Sequence, residues 1–332
     1  MKLVSKIKRE LLLDEVDSRF LVLVGGEPFM KAIKEFFILT QIYSVVTSIM
    51  PALLGMMFAG LYYGEFKLGL SLWLFVAVVL FHLAVNVHNQ YVDYYKYKSQ
   101  PTVFKNSINN TLKVNHISPR HAQVLTLVLT LISAIIGLYL VFETGFFVLI
   151  IGIISFLIGY LYSGGFKSIS YSPFGELVSG LTMGYNITLL AVFVNLEGTS
   201  AFEWNFILKT ALVSLVAVFA ISNIMLANNI SDASEDKKVG RRTIVAYLGQ
   251  KKSLLVLIGS YILGYVAVLL SVILGYLPIY CLVVLIVTMP LVILNSVKFV
   301  KKPSKVVTFV NSVKNAQILL ISVIIGGIIS LF

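Results

Sequence analysis

The feature that most constrains this chain is the grouping of its apolar residues. They come in blocks of about 20 with few charges inside, and a block of that length crosses a hydrocarbon core as one helix. Nine blocks are placed as spans, at residues 37–62, 69–91, 121–142, 145–163, 174–195, 206–229, 253–275, 278–297 and 315–331. The expected fold is therefore all-α: a polytopic membrane protein of about nine transmembrane helices. Only 12% of its residues are charged, against roughly a quarter in soluble domains. Residues 1–35 mix charges with short apolar clusters (Leu11–Leu13, Phe20–Val24) and read as a cytoplasmic N-terminal lead-in, followed by a single transmembrane domain over 36–332. The single cysteine, Cys281, lies inside an apolar run and reads as packing.

A net charge of +11 raises the question of nucleic acid, and its distribution answers it. With the N-terminus inside, all but two of the 26 lysines and arginines (Lys67 and Lys209) fall on inner segments, so the charge is explained by membrane orientation and no nucleic-acid partner is expected. The two long connections, near 92–120 and 230–252, are both inner, which puts any chemistry on the cytoplasmic face of the cell membrane. The acids agree. Asp93, Glu176, Asp232, Glu235 and Asp236 all stand at cytoplasmic helix ends, and none is at mid-bilayer, where an ion-coupled transporter would hold its carboxylate.

Two of those helix ends echo each other. NVHNQYVDYYKYK closes the second span and NIMLANNISDASEDKK the sixth, with Asn89 and Asp93 in one and Asn228 and Asp232 in the other at the same i,i+4 spacing. Asp236 extends the second ladder by another turn, where the first has Tyr97. Positions i, i+4 and i+8 share a helix face. Asp232 and Asp236 repel one another there, and an oxygen-seeking divalent cation, magnesium above all, removes the conflict. Lys237, Lys238, Arg241 and Arg242 follow at once, suited to a polyphosphate, and Gly240 permits the turn that brings the arginines back.

The stretch NNISDASEDKKVGRRTIVAYLG resembles the second aspartate-rich motif of the UbiA superfamily of intramembrane prenyltransferases, most of all its 1,4-dihydroxy-2-naphthoate polyprenyltransferase branch in menaquinone synthesis. YSGGFKSISYSPFGELVSGLTMGYNI (162–187) is similar to a further segment of that branch, SVVTSIMPALLG (44–55) fits its first helix, and the resemblance spans roughly 37–252. It implies nine helices around a central cavity, with the two motifs facing each other under a cytoplasmic cap. It also implies magnesium-dependent transfer of a polyprenyl group from polyprenyl diphosphate to an aromatic acceptor such as 1,4-dihydroxy-2-naphthoate. On this resemblance Asp93, Asp232 and Asp236 are the magnesium-binding catalytic carboxylates. Asn89, Asn228, Asn229, Tyr162, Lys167, Lys237, Arg241 and Arg242 are the substrate-binding set. The first motif departs from the family pattern: Gln90 and Tyr97 stand where acids are usual. Another acceptor, or a non-catalytic or partner-dependent paralogue, is the alternative this leaves open.

Of the remaining residues, Lys167 reads equally as a ligand for diphosphate or carboxylate and as an interfacial anchor, and Glu176 as a first-turn helix stabiliser. Asn186 should face the cavity or another helix. His88 is the histidine placed best for a role. Tyr91, Tyr94, Tyr95 and Tyr97 read as an aromatic belt, and the run Lys301 to Lys305 as an anchor.

Overall fold

The protein is described by a computed structural model covering residues 26–99, 101, 104, 107 and 110–332. Most of the N-terminal lead-in, with its two apolar clusters, and much of the first long connection lie outside the described residues.

Among the described residues every regular element is helical, and nine helices are long and apolar enough to cross a membrane. In chain order the elements are α1 (Gly26–Thr40), α2 (Ile42–Tyr63), α3 (Leu68–Lys98), a single turn α4 (Thr111–Val114), α5 (Pro119–Thr144), α6 (Phe146–Ser163), α7 (Gly175–Leu196), α8 (Phe206–Lys238), α9 (Ile244–Ile273), α10 (Ile279–Lys301) and α11 (Phe309–Ile329). The stops are local. Pro119 sits in the first turn of α5, Gly145 (φ 91°) separates α5 from α6, and Gly275 (φ 73°) with Pro278 separates α9 from α10.

Several boundaries differ from the hydropathy reading. The first expected span begins at 37, but the helix breaks at Gln41, which is left-handed (φ 47°), so that α1 is a separate helix packed on α3 and α4. The α9 helix starts at Ile244, ahead of its apolar run, and bends at Gly249 (φ 73°, ψ 164°), a backbone region only glycine occupies freely. Most consequential, α3 and α8 do not stop at 91 and 229. At 1.5 Å per residue their 31 and 33 residues span about 46 and 50 Å, well beyond a hydrocarbon core of about 30 Å. Both motifs therefore ride on helical extensions at the same end, closed by Lys96 and Lys98 in one helix and Lys237 and Lys238 in the other, which complement the negative helix terminus.

Helices α2, α7, α8 and α11 form the buried centre, while α5, α6 and α10 carry rows of exposed leucine, isoleucine and valine such as Leu127, Leu131, Ile135 and Leu138, as lipid-facing helices do. Lipid supplies no hydrophobic drive between helices, so contact is made by small and polar residues. A β-carbon on Gly184 would lie 2.6 Å from the Val218 backbone nitrogen, so α7 and α8 meet backbone to backbone. Asn195 on α7 accepts from the Lys67 N–H (2.6 Å) and donates to Ser71 Oγ on α3 (3.0 Å), and Asn223 on α8 donates to the Leu257 carbonyl on α9 (3.0 Å). Asn186 donates to Ser155 Oγ on α6 (3.3 Å), so it makes the interhelical contact its polarity in an apolar span requires.

Candidate active site

A cavity of about 1530 Å³ runs inside the bundle, walled by α2, α3, α5, α6, α7, α8 and α11. From Leu74 to Asp93 its wall follows α3 for about 28 Å. The stretch between α5 and α6 is apolar and roomy: Gly137 and Gly152 line it, and a β-carbon on either would meet nothing within 4 Å. Phe81 and Phe156 stack in its wall with ring centroids 3.9 Å apart. At the charged end the walls become polar, and Asn89 and Asp93 of α3 join Asn228, Asp232 and Asp236 of α8 in lining one mouth.

Asp232 and Asp236 each carry a cation. Lys305, in the connection from α10 to α11, donates to Asp232 Oδ2 at 2.6 Å and also to Asn228 Oδ1. Arg241 donates through Nη1 to Asp236 Oδ1 (3.3 Å) and through Nε and Nη2 to the Ser170 carbonyl (3.3 and 3.1 Å). Gly240 (φ 77°) makes this possible, because the chain leaves α8 there and turns back, and the Arg241 N–H bonds the Asp236 carbonyl at 2.9 Å. Burial opposes the charge on Arg241, but Asp236 and Asp93, with Tyr162 and Tyr171, outweigh it and hold the guanidinium above its ordinary pKa. Tyr171 lies 5.2 Å from that guanidinium, ring centroid to Cζ, and burial together with Asp93 and Asp236 pushes its phenol up against the opposing Arg241, so it stays neutral. Asp236 Oδ2 and Asn89 Oδ1 are buried oxygens with no protein donor.

The other sequence candidates divide. Tyr162 lines the cavity. Asn229, one residue and about 100° around α8 from Asn228, points away from it: 3% exposed, it donates to Glu176 Oε1 on α7 (2.8 Å). Glu176 is thus more than a first-turn acid, since it joins α7 to α8. Lys167, Lys237, Lys238 and Arg242 are exposed and line no part of the cavity, and the Arg242 backbone N–H bonds the Tyr171 carbonyl (3.3 Å). His88 stacks on Tyr160, also outside the lining. Of the four tyrosines read as a belt, Tyr97 is buried and faces the cavity.

Sequence reasoning missed two cations and a carbonyl. Lys305 reads as an anchor in sequence, yet the structure puts its ammonium among Asn228 and Asp232; no local pattern announces a contact 73 residues apart. Lys96 donates to the Ser163 carbonyl (2.8 Å) and Ser168 Oγ (2.7 Å), and covers the Tyr171 ring at 4.0 Å, which binds the α6–α7 connection to α3. Its place three residues after Asp93 was the available signal. The Ser170 carbonyl, which seats Arg241, carries no side-chain signature at all.

Among the described residues no three His, Cys, Asp or Glu side chains stand close enough to hold an ion by themselves. The donor set still fits magnesium, which takes hard oxygens, settles for one or two protein carboxylates and completes its shell with phosphate oxygens and water. Asp232 and Asp236 one turn apart, the Asn228 amide and the donorless Asp236 Oδ2 are such oxygens.

An apolar chamber within a bundle of membrane-spanning helices, closed at one mouth by carboxylates and fixed cations, is the frame of an intramembrane enzyme. Comparison with known proteins narrows this. The UbiA prenyltransferase family model matches residues 48–313, and the chain belongs to that family and is a prenyltransferase. It is 30% identical over 237 residues to the 1,4-dihydroxy-2-naphthoate octaprenyltransferase of Bacillus subtilis, covering 71% of this chain and 73% of that one. Among solved structures, a UbiA homologue from Aeropyrum pernix superposes with a TM-score of 0.69 at 18% identity, covering 88% of this chain and 99% of the other. A UbiA homologue from Archaeoglobus fulgidus bound to GPP and Mg2+ superposes at 0.57 and 15% identity, covering 89% and 98%. At these identities the solved structures establish the shared fold.

Proposed function

We propose that the chain transfers a polyprenyl group from polyprenyl diphosphate to 1,4-dihydroxy-2-naphthoate or a similar aromatic acceptor, with magnesium, at the cytoplasmic face of the membrane, giving a demethylmenaquinone-type product. The observation that carries this reading is the convergence of Asp93, Asp232, Asp236, Arg241 and Lys305 on one mouth of an apolar chamber. The Bacillus subtilis relative supports the acceptor, and the near-confinement of lysine and arginine to one side supports the orientation.

In this reading the donor's tail lies between α3, α5 and α6 and its diphosphate rests at the mouth. Asp232 and Asp236, with Asn228 and Asp93, would hold magnesium, which when bound neutralises diphosphate charge and polarises the leaving group. Lys305 has three ammonium donors and spends two, on Asn228 and Asp232, leaving one for a phosphate oxygen. Arg241 likewise keeps N–H groups beyond those given to Asp236 and Ser170. The allylic C–O bond breaks with its electron pair passing to the diphosphate oxygen, and these fixed cations stabilise the charge that develops there. The Phe81, Phe156 and Tyr162 rings and the apolar wall keep water from the allylic cation and offer it π-faces. The acceptor's ring carbon then forms the new C–C bond. Its carboxyl leaves as carbon dioxide, the electrons of that bond returning to the ring.

The test is direct. Membranes carrying the protein, supplied with labelled polyprenyl diphosphate, 1,4-dihydroxy-2-naphthoate and magnesium, should form labelled demethylmenaquinol, recovered as demethylmenaquinone after oxidation by air, and chelation should stop it until magnesium is restored. Asp232→Asn and Asp236→Asn should each abolish product. Activity surviving both substitutions would remove the role given to this mouth, and transfer only to other acceptors in a panel would overturn the naphthoate assignment.

A further inference from the structure

About two helical turns from Asp93, the cavity wall holds a polar cluster that donor binding does not use. It comprises Ser44 and Ser48 on α2 with His82 and Asn86 on α3, and all four line the cavity. Polar groups and a histidine inside membrane spans are rare and usually mark function. Here they form a chain of hydrogen bonds that one tautomer of His82 satisfies throughout. Ser48 spends its only hydroxyl hydrogen on the Val45 carbonyl (2.9 Å), so toward His82 it accepts, and His82 Nδ1 must donate (3.0 Å). A neutral imidazole then has only an acceptor left at Nε2, so Ser44 donates there (3.0 Å). The Ser44 oxygen in turn accepts from Asn86 Nδ2 (2.9 Å), whose amide also donates to the Thr40 carbonyl (2.8 Å).

Both amide hydrogens of Asn86 are thereby committed, and Thr40 and Ser44 together fix the amide so that it cannot flip. Oδ1 is what remains, an acceptor with no protein donor among the described residues, on a residue of the cavity wall. Asn86 and Asp93 are seven residues apart, 20° short of two full turns, so they share a face of α3 about 10 Å apart along its axis. That separation suits a flat bicyclic ring whose reacting edge meets the donor's first carbon near Asp93.

Building on the prenyl-transfer reading above, we propose that Asn86, polarised by the Ser48–His82–Ser44 relay, is the subsite that reads a phenolic hydroxyl of the aromatic acceptor. The hydroxyl donates to Asn86 Oδ1, and the ring is held by its O–H edge. Asn86 touches substrate in this scheme, and His82, Ser44 and Ser48 are positioning residues.

The experiment compares transfer to 1,4-dihydroxy-2-naphthoate with transfer to its two mono-O-methyl ethers, in wild type, Asn86→Ala and Ser44→Ala. A site built to bond a hydroxyl rejects the analogue lacking it, so wild type should disfavour one ether by about tenfold or more in kcat/KM. In Asn86→Ala that preference should collapse to about twofold, with acceptor KM raised and donor KM unchanged; Ser44→Ala should lose part of it, because one of the two acceptors that hold the amide is gone. Should Asn86→Ala fold poorly, Ser44→Ala carries the same readout. Equal losses toward parent and both ethers, or an altered donor KM alone, would show a structural role and overturn the subsite. Wild-type transfer to the naphthoate with the preference intact in both variants would overturn the subsite but leave the reaction standing. Transfer to no phenolic acceptor would overturn both.

Discussion

Replacing Lys305 by methionine isolates what the structure adds to the aspartate motifs. Methionine keeps most of the side chain's length and apolar stem and removes only the ammonium. That ammonium is 2.6 Å from Asp232 Oδ2 and also bonds Asn228. Asp232 is 8% exposed and one turn from Asp236, so without Lys305 a buried carboxylate faces a like charge with no counter-ion beside it. Truncating one partner of a buried, hydrogen-bonded charge pair costs about 2–5 kcal/mol. The Lys305 side chain is 30% exposed, so the lower part of that range applies. About 2–3 kcal/mol corresponds to roughly a 30- to 150-fold fall in kcat/KM for the prenyl diphosphate, at about 1.4 kcal/mol per factor of ten. Acceptor KM should not move, because Lys305 stands at the diphosphate mouth. Steady-state kinetics with each substrate varied in turn reads both quantities, and thermal unfolding in detergent reports any change in the fold. Lys305→Arg, which restores the charge, should recover most of the loss. Lys305→Met within threefold of wild type for both substrates would refute the assignment.

Three further outcomes follow from the geometry. Arg241→Lys keeps the charge but not the fork that reaches Asp236 and Ser170 together, so kcat/KM for the donor should fall by about tenfold or more, measured in the same assay. Gly152→Leu fills open space between α5 and α6, so long-chain donors should lose at least tenfold relative to short-chain ones in a competition assay read by mass spectrometry, and equal loss for both would count against this channel as the tail's path. Gly184→Leu places carbon against the Val218 and Ala217 backbones, which cannot yield without separating α7 from α8; unfolding in detergent should show destabilisation of about 3 kcal/mol or more.

Much of this was legible in one dimension. Hydropathy located nine spans because lipid demands an unbroken apolar helix wherever the chain crosses, and that demand is written residue by residue. The Asn89–Asp93 and Asn228–Asp232–Asp236 ladders were legible because i,i+4 spacing within one helix is a local property. The turn at Gly240 was readable for the same reason. Hydropathy could not show that α3 and α8 remain helical for two more turns beyond the apolar run. Polar residues continue a helix as readily as apolar ones, and only the span within lipid is marked by composition.

What the tertiary structure alone decided is which neighbours the ladders meet. One residue's difference separates Asn228, at the cavity, from Asn229, which is bonded to Glu176, because each step turns the helix by about 100° and only packing reveals which face looks inward. Lys305 comes to Asp232, and Ser170 to the Arg241 that bonds Asp236, from connections far away in the chain, and neither carries a motif. The same holds for the relay from Ser48 to Asn86, which exists only because α2 and α3 run side by side. The sequence by itself determined that this chain spans a membrane and carries two carboxylate ladders at one side of it. Which cations, carbonyls and amides complete those ladders was left to helix packing, since a contact between distant segments depends on the orientation of both, and neither segment encodes the other's.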